Sequence, residues 1–181
     1  MITSKPLLIN ALTTYRTLYK EEQAFGRAFI ELLRNDRCYF RDHLPGHLTG
    51  SAFIVDESKS FVLLTHHAKL NKWLQPGGHA DGDENIMAVA LREAEEETGL
   101  KHLKSLTDSL FDIDIHGIPE RKDFPAHLHY DVRFLFEAST NDDLIISEES
   151  HDLAWIPLDR IAGLTNHNNA VLRMVHKLTS F

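Results

Sequence analysis

One cysteine, Cys38, is all that the 181 residues contain. An internal disulfide is therefore excluded, and the chain suits a reducing, cytoplasmic compartment. A lone thiol of this kind reads as a small buried apolar residue rather than as a nucleophile. Basic runs are missing too. The formal charge is −8 and no stretch is rich in lysine or arginine, which argues against nucleic acid as a partner, because a basic stripe is the footprint of a phosphate-backbone grip. No apolar run reaches bilayer length, so a membrane is not an expected partner either. The short patch Leu7-Leu8-Ile9 is soon followed by Tyr15, Arg16, Lys20, Glu21 and Glu22, the pattern of an amphipathic helix and not of a signal peptide. Repeats, low-complexity tracts and an interdomain linker are also absent. Histidine, in contrast, is abundant, at 12 residues.

Periodicity divides the chain. Leu8, Leu12, Tyr15 and Tyr19, then Phe25, Phe29 and Leu33, recur at helical spacing, predicting two helices or one broken near Lys20. These form an N-terminal helical extension over residues 1–36, ahead of a main domain over 37–181. From His47 the period shortens. "HLTGSAFIV" and "SFVLLTHH" read as strands about the polar turn Asp56-Glu57-Ser58, and "KWLQPGG" as a short strand breaking into a loop. "LFDIDIHGI" and "LHYDVRFLFEA" alternate as strands around the polar loop "PERKDFPA"; "LAWIPL" is a further short strand, and a helix from Asn166 to Ser180 closes the chain. The expected class is α/β, with helices around a mixed sheet.

The stretch Asn85 to Thr98 is helical in spacing and stops at Gly99, a good residue for the left-handed C′ position. Met87, Ala90, Leu91 and Ala94 fall on one side and face a core. Glu93, Glu96 and Glu97 gather on the neighbouring stripe, at i, i+3 and i+4. This is the wrong end for acids, because the carbonyl terminus of a helix is already negative. A divalent cation reverses both repulsions, and hard oxygen ligands at this density suit Mg²⁺ or Mn²⁺. The competing explanation is a solvated acidic face, the usual meaning of a charge run.

The neighbouring residues carry a resemblance. Gly78, Glu84, Arg92, Glu93, Ala94, Glu96, Glu97, Gly99 and Leu100 stand at the spacing of the signature of the Nudix hydrolases. Every fixed position matches, with Ala94 where a larger aliphatic is commoner. The resemblance implies a Nudix α/β/α sandwich with a mixed sheet. It also implies a Mg²⁺- or Mn²⁺-dependent hydrolase that cleaves a diphosphate bond in a nucleoside diphosphate linked to another group, by attack of metal-activated water. Glu93, Glu96 and Glu97 would hold the metal, and Arg92 would orient Glu96 or Glu97. Gly77 and Gly78 would let the backbone approach substrate and helix closely. Glu84 would fix the loop to the helix. Glu149, in "SEESHDLAW", is the candidate general base or additional ligand, against a reading as an exposed acid. The expected partner is a small-molecule diphosphate. A homodimer is left open, with the N-terminal helices as contributors.

A second, more distant resemblance concerns histidines. His127 and His129 share a strand face at i and i+2, His79 follows Gly78, and His47 opens another strand. Four imidazoles suit a tetrahedral, zinc-like ion. Type I isopentenyl-diphosphate isomerases place a metal on histidines and glutamates of similar segments, although glutamates stand there where His127 and His129 stand here. Phosphate hydrogen bonding and core packing are the other readings of this group. His43, His66, His67, His116 and His151 are expected at the surface. An isomerase-like diphosphate enzyme and a noncatalytic nucleotide sensor are the rival functions. The intact signature argues against both, and the absence of a cysteine near Gly77, where the isomerases carry one, argues further against the isomerase. Substrate marks downstream are weak: Pro119 comes late for one subgroup, and no tyrosine precedes Tyr130. Trp73, Phe124 and Tyr130 are candidates to stack on a base.

Overall fold

The computed structural model describes residues 2–122 and 124–179. Ten residues, Lys5–Thr14, form α1, and α2 spans Lys20–Leu32. The two helices are parted by residues 15–19 just before Lys20, so Tyr15 and Tyr19, counted in the helical spacing, cap the helices from outside. A 3₁₀ turn at Asp36–Tyr39 leads into strands β1 (Gly46–Val55), β2 (Phe61–His67), β3 (Lys72–Leu74) and β4 (Gly77–His79). The acidic helix is α3, Ile86–Thr98. After it come β5 (Lys104–Ser105), β6 (Asp112–Ile118), β7 (His127–Glu137) and β8 (Ser150–Pro157), then the short α4 (Ile161–Leu164) and α5 (Asn169–Leu178). Among the described residues no helix is long and apolar enough to cross a membrane.

The described strands join one mixed sheet. Its spine is β1 beside β7, parallel from Gly46↔Leu128 to Val55↔Glu137. β6 pairs antiparallel with the first part of β7. β1 meets β2 only at Ile54 and Val55, while its earlier residues Thr49–Ser51 pair with β4. β2 turns instead to β3 and β8. The sheet therefore splits along β1, and this split positions the site. Two short strands, β4 and β5, are not anticipated from sequence: "QPGGH" reads as loop, but two glycines let β4 lie flat against β1, and β5 is only two residues long and gains its pairing from β7.

Both faces of the sheet are covered, giving the expected sandwich. One carries Leu48, Ala52, Ile54, Val132, Phe134 and Phe136, packed against Ile86, Val89, Ala90 and Ala94 of α3. The N-terminal helices add Leu8, Leu12, Phe29 and Leu33 to the same cluster. On the opposite face, Phe53, Val55, Val62, Leu64 and Leu135 meet Val171, Met174, Val175 and Leu178 of α5. Local chemistry supports α3 at both ends. Asn85 accepts the amide of Ala88 through its side chain, a standard N-cap. Gly99 takes φ 77° and donates its N–H to the Glu95 carbonyl, which a residue with a side chain resists.

The apolar lining of the second face gives way to charge toward the split. Arg133 is buried among Asp131, Asp112 and Asp114, at 2.7, 3.2 and 3.2 Å. Arg173 of α5 reaches Asp112 and Asp114 at 2.8 and 3.1 Å. Lys177 pairs with Asp112 and with Glu22 of α2, and Glu22 also accepts from the Tyr15 hydroxyl at 2.7 Å. Such charges persist in the interior only because each is paired and hydrogen-bonded. The network holds the N-terminal helices to β6 and α5.

Candidate active site

The split in the sheet opens a cleft of about 1410 Å³ lined by two kinds of side chain. The first kind is carboxylate. Glu93 and Glu97 leave α3 one turn apart; the Glu93 side chain is 16% exposed and that of Glu96 60%. Glu97 accepts the backbone N–H of Gly77 at 2.8 Å. Burial pushes the Glu97 carboxyl up to about 7, with Glu93, Glu149 and Glu96 adding repulsion against the Gly77 hydrogen bond. Burial also raises Glu93, opposed by Arg92. These acids stand in a partly dry site without enough positive charge to balance them. Clustered oxygen donors short of compensation fit a hard divalent cation such as Mg²⁺ or Mn²⁺.

Arg92 differs in detail from expectation. It donates to Glu93 at 2.7 Å and to the backbone carbonyl of His79 at 3.0 Å, and lies 3.5 Å from Glu96. Glu97 is not its partner. Five residues along a helix turn about 140° past Arg92, so the Gly77 amide orients Glu97 instead. The glycine pair packs closely on its surroundings, Gly77 against β1 and Gly78 against α3. A Cβ on Gly77 would lie 2.2 Å from the Ser51 hydroxyl oxygen, and one on Gly78 2.3 Å from Glu93 Oε2. Glu84 is exposed, and the loop is tied to the helix by Asp83, which accepts the Asn85 amide at 2.8 Å. Glu149 reaches the cleft rim, exposed and 3.9 Å from Lys69.

The second kind of side chain is imidazole, brought together by strand register. His47 on β1 is the partner of His129 on β7, and His129 is the partner of His116 on β6. Three adjacent strands thus place three histidines in one row. His127 shares the face of His129. β4 sets His79 opposite Thr49, one row along. The ring of His47 lies 5.2, 5.0 and 5.0 Å from those of His79, His127 and His129. His116 was expected at the surface; the structure places it in the cleft, 5.5 Å from the His129 ring. Burial lowers His79 to about 4 and also holds His47 and His129 below the usual histidine range. These three rings, His47, His79 and His129, are therefore neutral near pH 7.

The next rows hold the polar floor. Asp131 accepts from Thr49 and Ser51 at 3.0 and 2.7 Å and lines the cleft with Arg133 and Asp114. Alternation in "HYDVRF" and "FDIDIHG" signals shared faces for these residues, but the signal does not say which face is the site. Among the aromatic candidates, Phe124 lines the cleft beside His127. Tyr130 packs edge-on against Phe29 in the core, and Trp73 stacks on His66.

The chain is similar to known proteins in sequence and in fold. A probable DHNTP pyrophosphohydrolase of Lactococcus lactis subsp. cremoris is 32% identical over 132 residues, covering 71% of this chain and 72% of that one. The asymmetrical bis(5'-nucleosyl)-tetraphosphatase of Rattus norvegicus is 30% identical, covering 69% of this chain and 78% of its own. The fold matches the C. elegans Ap4A hydrolase with a TM-score of 0.60 at 19% identity, over 74% of this chain and 96% of that one. The NUDIX domain family matches residues 46–178. A split mixed sheet between helical layers, an acidic helix that closes the split and a match across most of the chain place this protein in the Nudix family, as a Nudix phosphohydrolase.

Proposed function

We propose that the protein is a Mg²⁺- or Mn²⁺-dependent hydrolase that cleaves a diphosphate bond in a nucleoside diphosphate linked to another group. The observation that carries this reading is the juxtaposition of Glu93 and Glu97 in the cleft, both raised by burial and neither fully balanced by a cation of the chain. Glu93, Glu96 and Glu97 would hold the metal, which when bound neutralises phosphate charge and acidifies the attacking water. The chain's own residues set the geometry. Arg92 holds Glu93 and ties α3 to the carbonyl of His79. The Gly77 amide fixes Glu97, and Gly77 and Gly78 keep the strand close enough for both contacts. Glu149, on the rim, is the proton acceptor or additional ligand in this reading. The similarity to proteins named for a tetraphosphatase and a pyrophosphohydrolase supports a phosphoric-anhydride substrate.

A hydrolysis panel tests the proposal. ADP-ribose, nucleotide sugars, nucleoside triphosphates, dinucleoside tetraphosphates, dihydroneopterin triphosphate and isopentenyl diphosphate would be offered with and without Mg²⁺ or Mn²⁺. A capped RNA end belongs in the same panel and probes the expectation that nucleic acid is not a partner. Cation-dependent release of a phosphorylated product, abolished in Glu97→Gln, is the expected result. Turnover that persists in chelator would overturn it. A homodimer through the N-terminal helices would use the outward Leu7 and Leu18, 45% and 96% exposed, and light scattering reads that state.

A further inference from the structure

We infer that the histidine cluster is a second metal site, for a zinc-like divalent transition cation, with His47, His127 and His129 as ligands. One ligand atom from each of these three lies within 4.8 Å of the others. A tetrahedral ion with Zn–N bonds of about 2.05 Å needs nitrogens about 3.3 Å apart, so small ring rotations close the set. His47 is 1% exposed, yet its Nε2 is buried without a hydrogen-bond partner, as is Nε2 of His129. Buried polar atoms are normally satisfied, and two orphaned nitrogens in one cluster point to a missing partner.

The tautomers show what kind of partner. His127 Nδ1 lies 2.9 Å from the carbonyl of Pro125. A carbonyl only accepts, so Nδ1 carries the proton and Nε2 presents a lone pair. His47 Nδ1 faces the carbonyl of His43 in the same way, at 3.4 Å. Backbone carbonyls that fix the far nitrogen are the usual outer support of a metal-bound imidazole. Lone pairs aimed inward do not suit a phosphate, which requires donors, and simple packing leaves the orphaned nitrogens unexplained. An all-imidazole set selects zinc, copper, iron or nickel over Mg²⁺, which prefers oxygen. The site is thus chemically separate from the carboxylates of α3, although both line one cleft and Arg92 bridges them through the His79 carbonyl. His79, 5.0 Å from His129, flanks the trio. Three protein ligands leave a fourth position open, the arrangement of ions that take part in chemistry.

Metal content of the full chain decides the matter. Protein stripped with chelator is loaded with Zn²⁺ in excess Mg²⁺, freed of loose ions, and analysed for elements. One zinc per chain is expected in the wild type and in Glu93→Gln with Glu97→Gln, and at least tenfold less retention in His127→Gln with His129→Gln. A wild type that keeps no zinc, or zinc that follows the glutamates rather than the histidines, overturns the proposal. If the histidine variant fails to fold, Co²⁺ loaded into wild type answers instead. Intense visible bands of a four-coordinate site with three nitrogen ligands support the assignment, and the weak bands of an octahedral oxygen site refute it. None of these readouts depends on hydrolysis, so they stand apart from the test of the proposed activity.

Discussion

Gly78 lies directly against the carboxylate of Glu93: a Cβ built there would sit 2.3 Å from Oε2 and 2.4 Å from Cδ. The contact is with the end of a flexible side chain, so Gly78→Ala should move Glu93 and leave the backbone in place. Displacing a partner of this rank typically costs about 10–100-fold in activity or metal affinity. The expected outcome is a fall of that order in kcat with a nearly unchanged melting temperature. Wild-type turnover in the variant would mean that Glu93 is not held by this contact.

Glu97→Gln should separate activity from stability. The amide keeps an acceptor for the Gly77 N–H but loses the charge, and turnover should fall by at least ~10²-fold, beyond the usual effect of an outer partner. Stability should move the other way in metal-free protein. The Glu97 carboxyl is raised to about 7 in the fold, against about 4.3 in an unfolded chain. The folded state then binds more protons than the unfolded state, so Glu97 is least costly below pH 4 and most costly above pH 7. In chelator at pH 8 the variant should melt higher, by about 2–4 °C per ~1 kcal/mol in a chain of this size. An equal or lower melting temperature would show the burial cost to be relieved elsewhere.

The N-terminal helices should act through stability alone. Glu22 is fully buried, accepting from Tyr15, from Lys177 and from the Ile113 amide. Glu22→Ala leaves Lys177 and Arg173 short of a partner, and breaking a buried pair costs ~3–5 kcal/mol. Urea unfolding should show a lower midpoint, while kcat at low temperature keeps its value. Lost turnover in a variant that remains folded would give these helices a part in the chemistry.

Acid should weaken the β1–β2 turn. Asp56 accepts the amides of Ser60 and Phe61, both at 2.8 Å, and that of Ser58 at 3.0 Å. Burial works against its charge, yet these hydrogen bonds and the Ser58 hydroxyl hold it below the usual carboxylate range. Its contribution is therefore present above the unfolded value near pH 3.9 and lost as pH falls through the lower folded value. Asp56→Asn should cost about 1–2 kcal/mol at pH 7 and show less loss of stability than wild type on going to acid. Parallel melting curves of the two from pH 6 to pH 2 would count against this role.

Much of α3 was readable as a string. Apolar residues at helical spacing, Asn85 and Gly99 at its ends and three acids on one stripe are local facts, set by residues within a few turns of each other. The same holds for the break just before Lys20 and for the shared face of His127 and His129. Partners far apart in sequence were not readable. Alternation says that His129 and Asp131 point the same way, but only the pairing of β1 with β7 and β6 puts His47 and His116 beside His129. For the same reason sequence alone puts His116 at the surface, and of the two glutamates offered to Arg92 only Glu96 lies near it, with Glu93 nearer still. Charged residues such as Asp112, Asp131 and Arg133 on strands suggest an outer face. The structure buries them because Arg133 pairs with Asp131, while Arg173 and Lys177, some 60 residues beyond Asp112, return on α5 to neutralise Asp112.

By itself, then, the sequence determined the elements, their caps, the acidic stripe and the family signature, because each depends on spacing along one segment. The tertiary structure decided register, the opening between β1 and β2, and which polar groups meet inside it. Those depend on which strands find each other across long stretches of chain. The energy that selects one pairing is shared among two apolar faces and a buried charge network, and no single segment contains it.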